Sequence, residues 1–183
     1  AGPARRLLPP ALTGARGTPG YLGTGVGLVG AFCIAFIFVR AYPESGWALT
    51  IWLIFAVWIT DTGAYFSGKS IGGPRLAPRI SPKKTWAGLI GGAVCSAIWS
   101  VFWLGDQLGT SALSALAIGV LTSVLAQIGD LSVSVVKRRF GVKDASALIP
   151  GHGGVLDRLD GMLLTAPACA LALAVLSTEK GWT

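Results

Sequence analysis

Long apolar stretches separated by short polar ones are the main pattern of this 183-residue chain. Five of them approach the roughly 20 residues that cross a bilayer at about 1.5 Å per residue. Several lack the polar face of a surface helix, which disfavours a soluble helical protein. The predicted fold class is an all-α, polytopic integral membrane helix bundle, with helices at about 21–39, 47–66, 86–104, 110–136 and 161–177, the last of them short.

Composition supports the membrane prediction. Hydrophobic residues make up 52% of the chain and charged residues 13%, against roughly 25% charged residues in an average soluble domain. Mean hydropathy is +0.66. The 26 glycines are compatible with closely packed membrane helices. The three cysteines lie inside apolar stretches and are odd in number, which favours a packing role over a disulfide framework or a metal site.

The first 20 residues differ from the rest of the chain. AGPARRLLPPALTGARGTPG is rich in Gly, Pro and Arg, and it lacks the continuous apolar segment of a signal peptide. Residues 1–20 are therefore predicted to form a flexible, basic, cytoplasmic arm or to be the remainder of a truncation. Residues 21–183 are predicted to form one membrane-embedded domain.

Basic residues are distributed unevenly between the predicted loops. In the five-helix arrangement, 13 of the 15 fall on one side: in the N-terminal arm, in the loop after the second helix and in the segment after the fourth. The positive-inside rule places that side in the cytoplasm. Changing the helix count by one would disperse these residues over both sides, so the charge distribution supports five helices.

The segment QIGDLSVSVVKRR joins the fourth apolar stretch to a basic turn. If the helix continues, its spacing places one polar face along Gln127, Asp130, Ser134, Lys137 and Arg138. Asp130 would lie near the membrane boundary, where an ionisable residue is costly and marks a functional site. The alternative interpretation is structural, with Asp130 capping a helix or pairing with Lys137.

A glycine-rich turn and two carboxylates follow in PGHGGVLDRLDG. Gly153 and Gly154 would expose backbone N–H groups at a helix start, an arrangement that suits a phosphate. Asp157 and Asp160 are three residues apart and would share a helical face. Carboxylates with few other ligands favour a hard cation such as Mg²⁺, and Asp130 and Asp157 on different helices would bring two such ions together.

The basic residues around these acids exceed what neutralisation requires: Lys137, Arg138, Lys143 and Arg158. They suit a polyphosphate, because Arg offers forked donors and Lys a point charge. The alternative is a basic rim that attracts anionic lipid headgroups. His152 is interpreted either as a proton carrier or phosphate donor, or as a brace of the turn.

The other basic loop reads DTGAYFSGKSIGGPRLAPRISPKKTWAG. Asp61 is predicted at the end of the second helix. GKSIGG is rejected as a nucleotide-binding P-loop because no strand is expected before it. SPKKTWAG is predicted to start a helix, with Ser81 as its cap and Pro82 in the first position. Lys83 and Lys84 would then contact an anionic lipid substrate or anchor the helix.

Residues 134–160 resemble the signature of the phosphatidate cytidylyltransferases, also called CDP-diacylglycerol synthases. That signature combines a Ser, a Lys-Arg pair, a Lys-Asp pair, His-Gly-Gly and Asp-Arg-x-Asp. The loop after the second helix is also similar, so the likeness extends from about residue 21 to the C-terminus. Every fixed element of the signature is present, as Ser134, Lys137, Arg138, Lys143, Asp144, His152, Gly153, Gly154, Asp157, Arg158 and Asp160.

The resemblance implies transfer of the cytidylyl group of CTP to phosphatidic acid, which yields CDP-diacylglycerol and pyrophosphate in phospholipid biosynthesis. It also implies dependence on Mg²⁺ with a second cation, and metal binding by Asp130 and Asp157. Asp160 is a further candidate metal ligand. The catalytic candidates are Asp130, Asp157, Lys137, Arg138, Lys143, Asp144, His152 and Arg158. The substrate-binding candidates are Ser134, Gly153, Gly154, Lys83, Lys84 and Asp61.

The expected setting is the inner cell membrane, with the site facing the cytoplasm. The expected partners are CTP, phosphatidic acid and the lipid bilayer, with no nucleic acid, and a homodimer is one candidate assembly. Members of the family usually carry further membrane helices before the matching region, so the chain is interpreted as a shortened or truncated member whose catalytic domain spans residues 21–183.

Three other interpretations compete with this one. A CDP-alcohol phosphatidyltransferase also places aspartates on membrane helices, but LDRLDG has a three-residue spacing and lacks the rest of that signature. A transporter or channel with a basic vestibule needs ionisable residues in mid-helix, and the first, third and fifth predicted helices have none. A catalytically inactive relative that serves as a scaffold is compatible with the sequence, although complete motifs argue against it.

Overall fold

A computed structural model of the protein describes residues 18–78, 80–139 and 159–179. The helix-bundle prediction is confirmed, because each of the five predicted helices has a counterpart in these ranges. A short hairpin joins the second helix to the third. In chain order the elements are α1 (Thr18–Arg40), α2 (Gly46–Ser70), β1 (Arg75–Ala77), β2 (Ser81–Thr85), α3 (Trp86–Leu108), α4 (Ala112–Arg139) and α5 (Met162–Glu179).

Three of the described helices, α2, α3 and α4, are long and apolar enough to cross a membrane. The apolar runs of α1 and α5 are shorter, at Gly25–Arg40 and Met162–Ser177. Large apolar side chains cover the outside of the bundle, and Ile34, Phe102 and Leu113 are 72%, 72% and 79% exposed. Such a surface is unusual for a soluble monomer and is suited to contact with lipid tails.

Two apolar clusters form the interior. The larger one gathers residues from α1 to α5, among them Val39, Trp52 and Leu104. The smaller one, Val57, Ala126 and Met162, joins α2, α4 and α5. All three cysteines are free thiols, which confirms the prediction that they do not form a disulfide framework.

Glycines allow α2 and α3 to approach closely. A methyl group added at Gly92 would lie 2.8 Å from the Thr60 carbonyl oxygen, and one at Gly88 would lie 2.9 Å from the Ala64 carbonyl oxygen. These backbone atoms cannot retreat without moving a helix, so a side chain at either position would separate α2 from α3. The contact sets where the loop between the two helices emerges from the bundle.

The third helix starts at Trp86, as predicted, but the hairpin changes the residues that precede it. Ser81 and Pro82 belong to β2, which pairs antiparallel with β1, so the prediction of a helix cap at Ser81 is wrong. The helix begins at Trp86, and the Thr85 hydroxyl accepts a hydrogen bond from the Gly88 N–H at 3.1 Å. Thr85 is the better cap because it directly precedes the apolar run, whereas the residues before it are used in strand pairing.

The second helix is longer than predicted. It continues to Ser70, so Asp61 lies inside α2 and its predicted position at the helix end is wrong. The apolar pattern weakens after Phe66, but backbone hydrogen bonds carry the helix through Gly68 to the Ile71 cap. GKSIGG therefore begins in the last turn of α2 and ends beyond its cap, with a helix and not a strand before it, which agrees with its rejection as a P-loop.

Candidate active site

Four parts of the chain meet at one end of the bundle: the C-terminal half of α2, the β1–β2 hairpin, the C-terminal half of α4 and the turn before α5. This charged end, as we call it, contains Asp61, Lys84, Asp130, Lys137 and Asp160. It forms where α2 ends and α3 begins, and there the loop after the second helix lies against the C-terminal half of α4.

Asp130 is the centre of the charged end. Its carboxylate forms an ion pair through Oδ2 with the ammonium group of Lys84 on β2, and the two side chains are 25% and 22% exposed. The Ser134 hydroxyl, one turn further along α4, donates to Oδ1 at 3.4 Å. An aspartate on a membrane helix thus has a cation from a distant loop and a hydroxyl from its own helix as neighbours.

Asp160 lies in the turn before α5, within hydrogen-bonding reach of Asp130. The Gly161 N–H donates to Asp160 Oδ1 at 2.8 Å. Burial raises the pKa of Asp160 to about 7, the negative charge of Asp130 adds to this, and the charge of Lys137 acts in the opposite direction. Two carboxyl groups held this close attract a cation strongly, because a positive charge between them relieves their repulsion.

A glycine sets the distance between these two carboxyl groups. A methyl group added at Gly129 would lie 2.9 Å from the Asp160 carbonyl oxygen and 3.3 Å from that of Gly161. Gly161 in turn packs near Val57 of α2 and Ala126 of α4. The turn before α5 can therefore approach α4 closely enough to bring Asp160 to Asp130.

Asp61 extends the acidic cluster to α2. The charges of Asp130 and Lys84 both act on its carboxyl group. This proximity was not predicted from the sequence, where Asp61 and Asp130 are 69 positions apart. A usable signal was present, since each is an acid inside an otherwise apolar helix and such acids tend to face one another or a common cavity.

The predicted polar face of α4 exists, because the helix continues to Arg139. Gln127 donates to the Leu89 carbonyl of α3 at 3.2 Å, and Arg138 Nε donates to the Ile80 carbonyl beside the hairpin at 3.5 Å. These two contacts tie α4 to its neighbours on either side of Asp130. They give Gln127 and Arg138 positioning roles, and the catalytic role of Arg138 stays a prediction.

Lys83 and Lys84, which the sequence treats alike, occupy different environments. Successive side chains of a strand point to opposite faces, and Lys84 faces Asp130 whereas Lys83 is exposed. Substrate contact by either lysine stays a prediction.

The remaining predicted site residues lie outside the described ranges. Their roles stay predictions: Lys143, Asp144, His152, Gly153, Gly154, Asp157 and Arg158.

The carboxyl groups at the charged end can be compared with the ligands that a cation needs. Within the ranges that the structure covers, no three Asp, Glu, His or Cys residues are grouped closely enough to hold a metal ion. Asp130 and Asp160 nevertheless offer adjacent carboxylate oxygens, which Mg²⁺ takes in small number while keeping water and substrate phosphates as its other ligands. The donor set that the structure describes therefore fits Mg²⁺.

The fold and the site define a class of protein: a membrane helix bundle that carries clustered carboxyl groups and lysines at one end. Comparison with known proteins identifies a family within this class, because residues 20–176 match the model of the Cytidylyltransferase family. The chain belongs to this family.

Curated relatives carry a common name. The chain is 40% identical over 147 residues to the phosphatidate cytidylyltransferase of Brucella suis, a match that covers 80% of this chain and 54% of the relative. The proteins of that name from Bacillus subtilis and Rickettsia bellii are 41% and 39% identical over 143 and 138 residues, covering 78% and 72% of this chain and 53% and 59% of theirs. The chain thus spans about half the length of the curated relatives it matches.

Proposed function

We propose that this chain forms the catalytic region of a phosphatidate cytidylyltransferase, which transfers the cytidylyl group of CTP to phosphatidic acid and releases pyrophosphate. The observation that carries the proposal is the setting of Asp130: a membrane-helix aspartate that contacts Lys84 from one loop and Asp160 from another. The family match and the printed names of the relatives support the choice of reaction.

Asp130, Asp160 and the predicted ligand Asp157 would hold Mg²⁺ and a second cation. When bound, these ions supply positive charge that stabilises the attacking and leaving oxygens of a phosphoryl substitution. Lys84, Lys137 and Arg138 lie around the same cluster and would bind and orient the phosphates of CTP. The phosphate of phosphatidic acid is already anionic, so the reaction needs no strong general base.

The apolar surface of the bundle would bind the other half of the lipid substrate. Diacylglycerol tails can remain in the bilayer beside exposed side chains such as Phe66 and Ile90, while the phosphate reaches the charged end. The excess of basic residues in the loops at that end supports a location at the cytoplasmic face of the inner membrane. A homodimer stays a prediction, to be tested by mass measurement in detergent.

The direct test uses CTP labelled at its α-phosphorus. The purified chain in detergent, supplied with phosphatidic acid, is expected to place label in CDP-diacylglycerol when Mg²⁺ is present and not when it is chelated. Asp130→Asn should abolish this transfer. Asp106→Asn is the matched control, because it removes an exposed carboxylate at the far end of α3 and should leave transfer intact.

A well-folded but inactive chain calls for one further sample. It is a chimera that carries the N-terminal half of the Bacillus subtilis relative in front of this chain. If the chimera also makes no CDP-diacylglycerol, the proposed function is wrong.

A further inference from the structure

Both oxygens of the Asp130 carboxylate have partners. Lys84 contacts Oδ2 and the Ser134 hydroxyl contacts Oδ1. A metal ion that binds Asp130 must therefore displace one of these partners or share an oxygen with it. Lys84 is the more consequential of the two, because it carries a charge of the same sign as the ion.

We propose that Lys84 is the resident counter-ion of Asp130 and competes with a divalent cation for this carboxylate. The inference rests on the proposed function insofar as it treats Asp130 as a cation ligand. It separates Lys84 from its neighbour Lys83, for which the sequence predicts the same role.

The need for a counter-ion follows from the surroundings of Asp130. The side chain is only 25% exposed, and the carboxyl groups of Asp61 and Asp160 lie within electrostatic range. A partly buried carboxylate among like charges destabilises the fold unless a cation compensates it. Lys84 provides that compensation when no metal ion is bound.

The geometry of the hairpin allows the exchange. The backbone next to Lys84 is anchored by strand pairing between Thr85 and Arg75 and by the bond from the Trp86 N–H to the Pro74 carbonyl at 3.1 Å. The long, flexible lysine stem can leave Oδ2 without moving this backbone. The released ammonium group then stays beside the cluster, where an anionic phosphate is its natural partner.

Binding of Mn²⁺ alone tests the competition without any substrate. Electron paramagnetic resonance measures free Mn²⁺ in a titration of the purified chain in detergent. Lys84→Met is expected to bind Mn²⁺ about fivefold more tightly than the parent chain, because the ion no longer competes with a partly exposed ion pair. Lys83→Met should change the affinity less than about twofold, because an exposed charge is screened by salt.

Two further variants serve as controls for the effect of Lys84→Met. Lys84→Arg keeps the charge and is expected to bind Mn²⁺ like the parent chain, which excludes a simple packing effect. Asp130→Asn combined with Lys84→Met should lose the gain, because the ligand for which the two cations compete is gone. Equal tightening in Lys83→Met and Lys84→Met, or no tightening in a folded Lys84→Met, would overturn the proposal.

Chemical labelling gives an independent readout in the unmodified chain. Lys83 and Lys84 lie in one chymotryptic peptide that ends at Trp86, so their acetylation by a small reagent can be compared within the same fragment. Mg²⁺ is expected to raise the labelling of Lys84 at least about twofold relative to Lys83, because the ammonium group leaves its ion pair. Unchanged relative labelling at saturating Mg²⁺ would contradict the release.

The failure of this inference and that of the proposed function are distinguishable. If Lys84→Met tightens Mn²⁺ binding in a chain that makes no CDP-diacylglycerol, the competition stands and the reaction does not. If the parent chain is active and Mn²⁺ affinity ignores Lys84, the reaction stands and the counter-ion role is wrong.

Discussion

The two ends of the α2–α3 pair differ in the polar groups that they contain. We call the end opposite the charged one the indole end, because three indole N–H groups donate hydrogen bonds there. Trp52 donates to Ser100 Oγ at 2.9 Å, Trp99 to the Trp52 carbonyl at 3.2 Å, and Trp103 to the Ala48 carbonyl at 2.9 Å. These partners are neutral and satisfied within the pair. At the charged end the carboxyl groups of Asp61 and Asp160 each lie near that of Asp130, and the charges of Lys84 and Lys137 act against this repulsion.

The difference shows where stability and chemistry reside. Neutral, paired donors inside an apolar cluster lower the free energy of the folded state and leave nothing to react. Clustered carboxylates raise the free energy of the folded state unless a cation is present. Clustering of this kind is typical of sites that bind ions or substrates. The predictions below challenge this division, beginning with the largest expected effect.

Loss of the central carboxylate should separate activity from stability most clearly. Asp130→Asn is expected to lower cytidylyl transfer by about 100-fold or more, because the cation ligand and its charge are lost at the reacting phosphates. Its helical circular dichroism should match that of the parent chain. Asp106→Asn at the indole end, assayed beside it, should retain full transfer, and an equal loss in both variants would contradict the division.

A methyl group at the glycine contact between α2 and α3 should lower the stability of the folded chain. Gly92→Ala is expected to destabilise the chain by about 1–3 kcal/mol, because its methyl group would press against the Thr60 carbonyl. The free energy of unfolding can be measured by titration with SDS in mixed micelles.

The control for this substitution lies on the same helix. A methyl group at Gly105 would lie 3.8 Å from the Thr110 carbonyl oxygen, an ordinary contact. Gly105→Ala should be neutral or stabilise α3 by up to about 1 kcal/mol, as expected from helix propensity. A neutral Gly92→Ala would show that α2 and α3 can separate at little cost.

A hydrogen bond at the indole end should contribute to stability but not to chemistry. Trp52→Phe removes the donor to the buried Ser100 hydroxyl and is expected to cost about 1–2 kcal/mol. Trp58→Phe changes an exposed ring and should cost less than about 0.5 kcal/mol. Transfer per folded molecule should be the same in both variants, and a selective loss in Trp52→Phe would connect the indole end to the reaction.

The smallest effect is expected within the charged end itself. Ser134→Ala removes a long hydrogen bond of 3.4 Å to Asp130 and should lower transfer by no more than about threefold. Ser132→Ala, on an exposed position of the same helix, should leave the rate unchanged. A much larger loss in Ser134→Ala would indicate that the hydroxyl touches substrate or cation directly.

Much of the fold was predictable because apolar run length and loop charge report directly on a bilayer. The predicted helix at about 110–136 corresponds to α4, and the extension of its polar face to Arg138 is confirmed. The hairpin was not predicted, because Ser-Pro before an apolar run is also a common helix start and the competing strand pairing is decided by a distant partner, Arg75. Asp61 was placed near a helix end because the apolar pattern weakens a few residues later, after Phe66, although the helix itself continues to Ser70.

In the part of the candidate site that the structure describes, the polar face of α4 was predictable and its contacts were not. The spacing around Asp130 indicated which residues share a helical face, and the resemblance indicated a second carboxylate segment. Neither could indicate that Lys84 would be the lysine paired with Asp130, since strand alternation decides between Lys83 and Lys84 and the strand was not foreseen. The roles proposed for the part of the signature outside the described residues, including Asp157, stay predictions.

The class of the protein could be inferred from the sequence, because apolar run length indicates which segments suit a membrane and the signature indicates the family. The pairing of charges depends on the tertiary structure. Glycines at the α2–α3 contact and at Gly129 bring backbones together, and that approach places Asp61, Lys84 and Asp160 around Asp130. Hydropathy is a property of each residue and can be read along the chain. Ion pairing depends on distances between residues far apart in the sequence, and close packing establishes those distances.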